Sequence, residues 1–194
     1  MKKLFSFVVG TLLSISGVMP LYASGDVIAA RDIDFSFEGP FGKFDKAQLQ
    51  RGFQVYSEVC SACHSLSYVS YRNLSEPDGP AFTEAEVKAV AAQKEVTDGP
   101  NTDGEMFQRP AMPSDKFVSP FPNKEAAIAA KGAYPPDLSL LTKARAWWHG
   151  TFKQLTQGLG GSEYVYSVLT GYQKAPEGLT GPEGKHYNPY FAAG

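Results

Sequence analysis

Histidine and cysteine are scarce: the 194 residues hold three histidines and two cysteines. A structural zinc site takes about four such ligands, so Cys60, Cys63 and His64 would have to recruit His149 or His186. Excess positive charge is also missing. With 18 basic against 20 acidic groups the formal net charge is −2, which argues against a nucleic-acid partner. The glycines at 158, 160 and 161 follow no strand pattern and precede no Gly-Lys-Ser/Thr, so they do not make a nucleotide-phosphate cradle. Beyond the first residues no stretch approaches the ~18 uninterrupted apolar positions of a membrane-spanning helix.

The one long apolar run lies at the N-terminus, from Leu4 to Met19, after Met1-Lys2-Lys3 and before Pro20-Leu21-Tyr22-Ala23-Ser24. A positive start, a short apolar stretch and a small-residue exit have the layout of a secretory signal peptide. The expected division is therefore a signal peptide at 1–23 and one domain at 24–194. The 43% hydrophobic content is enough for that domain to bury a core. Loss of Lys2 and Lys3 from the 18 basic groups, against 20 acidic ones, takes the net charge to −4. Eight of the acids fall between Glu76 and Glu105, against only Lys88 and Lys94. Such a run is either a solvated surface or a docking face for a basic partner.

The two cysteines stand together in Cys60-Ser61-Ala62-Cys63-His64. In an oxidising compartment they could pair, but the loop so closed is tiny and the gain small. A thioredoxin-type site would need a strand before the motif and βαβ units after it; helices and loops are expected instead. Two thiols at this spacing can each add across a vinyl group of haem, and the next residue then reaches the iron. The motif thus points to one haem c, bound through two thioethers from Cys60 and Cys63, with His64 as axial ligand. Electron transfer is the chemistry this implies. The other ring nitrogen of His64 is expected to donate to a backbone carbonyl in the proline-rich stretch. For the sixth position the chain offers Met106, Met112, His149 and His186.

In chain order, Arg31 to Phe44 carries Phe35, Phe37, Phe41 and Phe44 among glycine and proline, an aromatic-anchored extended lead-in. Asp45 can cap a helix over Lys46 to Cys60 whose inner face holds Leu49, Phe53, Tyr56 and Cys60, with Gly52 and Val59 near it. Gly52 would let another helix approach. Thr83 and Glu86 form a capping box, and Phe82 with Val87 a hydrophobic staple, for a helix over Glu84 to Glu95. Seven prolines between Val96 and Pro136 predict an irregular stretch, ordered by wrapping a large cofactor, with one short helix at Lys124 to Lys131. Ser139 to Trp148 and Ser162 to Thr170 are further helix candidates. No finish to the domain is evident in the tail from Gly184 to Gly194.

Arg51 to His64, Tyr68 to Leu74, Asp98-Gly99-Pro100-Asn101, Gly104 to Pro110, Pro135-Pro136-Asp137-Leu138-Ser139 and Asn188-Pro189-Tyr190-Phe191 together closely resemble the cytochrome c1 family. The likeness runs from about Phe35 to Phe191. It implies a mainly α fold, cytochrome c-like, with haem-wrapping helices and long Pro/Gly-rich loops. The role it implies is that of the electron-transfer subunit of ubiquinol–cytochrome c reductase, not an enzyme on its own. Such a subunit takes an electron from the Rieske iron–sulfur protein, passes it to cytochrome c, and sits beside cytochrome b on the periplasmic side of the bacterial inner membrane. Arg109 matches the arginine that meets a haem propionate, and Pro135 and Pro136 match a haem-packing segment. In the family the axial methionine and a C-terminal membrane anchor lie downstream of Asn-Pro-Tyr-Phe, so the 24–194 domain is expected to be C-terminally incomplete. The competing expectation is an autonomous soluble periplasmic c-type cytochrome. A haem peroxidase is a third class, with no recognisable distal acid/base constellation to support it.

Overall fold

The computed structural model describes residues 28–146, 160–178, 184 and 186–191. The expected signal peptide at 1–23, the end of the 139–148 helix, His149 and Gly158 lie outside these residues.

Asp45 caps α1 (Lys46–Glu58), its side chain accepting from the Gln48 amide at 3.1 Å. Leu49, Phe53 and Tyr56 face inward as the spacing requires, whereas Gly52 and Val59 are exposed. Among the described residues nothing lies within 4 Å of a Cβ built on Gly52, and none of their helices approaches it. After Val59 the chain tightens into a 3-10 turn (Cys60–Ala62). A second 3-10 turn (Tyr71–Ser75) precedes α2 (Glu84–Ala91), where Thr83 and Glu86 exchange both capping-box hydrogen bonds. The staple residue Val87 is buried and Phe82 packs beside it.

α2 ends four residues before Glu95, because Glu95 belongs to a strand. β1 (Glu95–Asp98) and β2 (Phe107–Pro110) form an antiparallel hairpin in which Val96 faces Arg109 and Asp98 faces Phe107. The stretch from Val96 to Pro136 is therefore not irregular throughout. Its loop turns on Asn101, whose side-chain oxygen accepts from the Asp103 and Glu105 amides, and Gly104 occupies positive φ there. Beyond the hairpin, the 113–117 segment bonds to 69–72: Tyr71 N to Asp115 O, Arg72 N to Pro113 O and Phe117 N to Val69 O. Hydrogen bonds within the chain thus order part of this stretch.

The core gathers Tyr71, Leu74, Val87, Ala91, Ala111 and Phe117, with Phe53, Tyr56, Leu66 and Val69 against it. Phe117 is its hub, its ring meeting Phe53, Tyr56 and Tyr71 at 6.3, 5.8 and 4.4 Å between centroids. α3 (Lys124–Lys131) is bounded by the Asn123 cap and the left-handed Gly132, as read from the sequence. α4 (Leu141–Ala144) is a single turn lying against α5 (Gly161–Thr170). A Cβ at Gly161 would collide with the carbonyl of Thr142. That close crossing is what Gly161 provides.

The lead-in docks on α5. Phe35, Phe37 and Phe44 stack in series at 5.0 Å, Phe35 meets Tyr166, and the Arg31 amide donates to Ser167 Oγ at 2.8 Å. Phe41, 91% exposed, is not an anchor. The tail packs here too: buried Asn188 donates to Val168 O at 2.7 Å, and Ile28 N donates to Pro189 O. Among the described residues helices predominate over one two-stranded sheet, and no helix is long and apolar enough to cross a membrane.

Replacing Phe117 by Ala removes the ring at the hub and should lower stability by about 3–5 kcal/mol. Gly52→Ala, in an open helical position, should raise it by about 1 kcal/mol. Urea unfolding of both variants checks this; a destabilised Gly52→Ala would mean that something does approach that face.

Candidate functional site

α1 delivers the motif. At its end Cys63 N and His64 N both donate to Cys60 O, at 3.1 and 2.8 Å, so one carbonyl gathers Cys60, Cys63 and His64 into a single tight turn. Both thiols are free and half-buried. Ser61 Oγ ties the turn back to α1 by donating to Ser57 O at 2.8 Å.

His64 Nδ1 lies 2.8 Å from Pro136 O. A carbonyl can only accept, so the proton resides on Nδ1 and Nε2 keeps its lone pair for a metal. This is the hydrogen bond expected from the sequence. From the other side Tyr56 Oη donates to His64 O at 3.3 Å. Burial pushes the Tyr56 phenol up to about 12, so it remains a donor at neutral pH.

The segment carrying Pro136 is clamped to the histidine segment. Asp137 Oδ2 accepts from Ser65 Oγ at 2.6 Å and Ser67 N at 2.9 Å, and Oδ1 from Ser139 N at 2.8 Å. Leu138 N donates to Ser65 O, and Tyr68 N to Ser139 Oγ. Burial raises the Asp137 pKa, but hydrogen bonds from Ser139, Ser65 and Ser67 outweigh it and hold the carboxyl well below the usual range. Sequence reasoning placed this residue in the Pro135 to Ser139 run but gave it no role, although an Asp after two prolines and two before a serine is a turn signal.

Two clefts flank the turn. One, about 200 Å³, is bounded by Cys63, Pro120, Pro122, Tyr134 and Pro135. The other, about 720 Å³, is lined by Tyr56, Ala62, Tyr71, Phe117 and Pro120. The Tyr56, Tyr71, Phe117 and Pro120 walls of the larger cleft suit a flat, mainly apolar group, while Ser65, Ser119, Asn123 and Lys124 make the smaller one more polar. The donors fit haem c as well: two free thiols at the attachment spacing beside an imidazole with one nitrogen already satisfied.

Arg109 sits differently from the expectation of a propionate partner alone. Its Nε pairs with Asp98 Oδ2, and Nη1 and Nη2 clasp Asp115 at 2.7 and 3.1 Å. It links the hairpin to the segment that bonds 69–72. Met106 and Met112 are 60% and 47% exposed, and His186 is exposed. Among the described residues no three His, Cys, Asp or Glu side chains could together hold a metal ion.

The acidic run divides as well. Asp98 holds Arg109, Glu86 caps α2 and Glu76 accepts from Asn73; Asp78, Glu84, Glu95, Asp103 and Glu105 remain on the surface.

Hydrogen bonds from Arg109 lower the pKa of both Asp98 and Asp115. Their stabilising effect is therefore complete above the unfolded value of about 4 and is lost as pH falls through the folded values. Arg109→Ala should be less stable than the parent at pH 7, with the gap in Tm closing towards pH 2. A gap independent of pH would remove these ion pairs from the account.

Residues 35–194 match the family model described as Cytochrome C1 family. The chain is 54% identical over 164 residues to Cytochrome b/c1 of Bradyrhizobium diazoefficiens, covering 81% of this chain and 24% of that protein. It is 46% identical over 189 residues to a Solanum tuberosum protein, Cytochrome c1-2, heme protein, mitochondrial, covering 92% of this chain and 66% of the relative. Cytochrome c1 of Cereibacter sphaeroides is 44% identical, with 100% of this chain and 65% of the relative aligned. The chain thus spans between 24% and 66% of the length of these relatives. With the fold and the motif geometry, the match over 35–194 establishes that the chain belongs to the cytochrome c1 family.

Proposed function

We propose that the chain carries one haem c, covalently held by Cys60 and Cys63 with His64 as axial ligand, and serves as the electron-transfer subunit of a cytochrome bc1 complex. The observation that carries this reading is the His64–Pro136 hydrogen bond of 2.8 Å beside two free, half-buried thiols. A relative from Candida albicans, 46% identical over 158 residues, is named Cytochrome b-c1 complex catalytic subunit, mitochondrial. In such a complex the donor is the Rieske iron–sulfur protein, the acceptor cytochrome c and the neighbouring subunit cytochrome b. Residues 1–23 would direct export, placing the domain on the periplasmic side of the inner membrane, where the family holds itself by a C-terminal anchor.

Haem supplies a one-electron couple at its iron. The chain's own residues hold that couple still. The Cys60 carbonyl fixes the turn, and Pro136 O orients the imidazole and raises its basicity as a ligand. In the larger cleft Tyr56, Tyr71, Phe117 and Pro120 offer apolar surface for the ring to pack on. Arg109 gives four of its five N–H groups to Asp98, Pro110 O and Asp115, which leaves one on Nη2 for a propionate.

The chain is to be produced with haem-maturation machinery and extracted with acidic acetone. The parent should keep its haem, with a two-thioether pyridine haemochrome spectrum, and the Cys60→Ala/Cys63→Ala variant should keep none. A parent that yields all its haem to the solvent would overturn the reading. The intact mass of the exported protein should begin at Ser24; retention of residues 1–23 would refute the signal assignment.

A further inference from the structure

Resting on the haem reading, we infer that Asp137 is a positioning residue for His64 and that its charge helps to set the reduction potential. No contact joins the two side chains. The link runs through both neighbours of the site: Asp137 follows Pro136, whose carbonyl takes the His64 proton at 2.8 Å, and its carboxylate grips Ser65, the residue after His64, at 2.6 Å. Ser65 is 7% exposed while Asp137 is half-buried, so this grip lies at the edge of the protein interior. The Ser67 and Ser139 amides at 2.9 and 2.8 Å complete three donors on one carboxylate. Rotation of the imidazole would break its bond to Pro136 O, and displacement of Pro136 would strain the Asp137 fan that follows it.

The carboxylate cannot be replaced by its amide without loss. An asparagine could still accept from Ser139 N through its oxygen, but its NH2 group would then face the Ser67 N–H, leaving that donor unpaired. The charge has a second effect. A carboxylate held near the ligand favours the more positive, ferric state, so its removal should raise the potential.

The test uses the haem-loaded full chain with an equilibrium redox titration followed in the visible bands. Asp137→Asn should keep covalent haem and shift the midpoint upward by a threefold to tenfold change in the one-electron equilibrium, tenfold being about 59 mV. Ser65→Ala, which keeps the charge and removes one donor screening it, should shift the midpoint downward by a smaller amount. Merely structural loosening would move both variants in the same direction. Opposite shifts support the inference; an unchanged midpoint in Asp137→Asn, or shifts of the same sign, overturns it. If Asp137→Asn takes up no haem, Ser65→Ala decides alone, a lowered midpoint supporting the role and an unchanged or raised one refuting it. A parent that binds no covalent haem would defeat the functional reading instead.

Discussion

Everything at this site depends on the hydrogen bond between His64 Nδ1 and the carbonyl of Pro136. An imidazole can present either nitrogen, and only a partner on one of them fixes which remains free. Because that partner is a backbone oxygen 72 residues away, the imidazole's orientation is a property of the fold. Residues 64–69 must lie against 136–139, and the Asp137 fan and the Ser65–Leu138 backbone bond hold them there.

The rest of the molecule serves to keep those two segments in register. Phe117 packs under α1 through Phe53 and Tyr56, while its amide bonds to Val69 O, in the loop that follows the histidine. Arg109 ties the hairpin to Asp115, whose carbonyl receives the Tyr71 amide. Aromatic stacking of the lead-in on α5 forms a second cluster, closed by Asn188 and Tyr190.

What could be read from the sequence is what short-range chemistry dictates. Asp45, Thr83–Glu86, Asn123 and Gly132 each stop or start a helix by satisfying groups within a few residues, and all do so as read. The attachment motif is local in the same sense. What escaped notice depends on distant partners. The hairpin strands are four residues each, too short for alternation to show, and one ends in proline. Gly52 belongs to the apolar face by spacing, yet whether anything lies opposite is decided elsewhere in the chain. The clearance that Gly161 gives Thr142 likewise depends on the crossing of α4 and α5, which no local pattern announces. Asp137 matters only because its three donors arrive from two segments.

The central claim is a covalent haem on this motif with His64 beside it, and peptide mapping of the matured protein by mass spectrometry tests it most directly. Trypsin should release Gly52–Arg72 as one peptide, since no lysine or arginine lies between Arg51 and Arg72. That peptide should carry the added mass of one haem, with both cysteines refractory to alkylation. Recovery of the same peptide unmodified, or with Cys60 and Cys63 joined as a disulfide, would contradict the account.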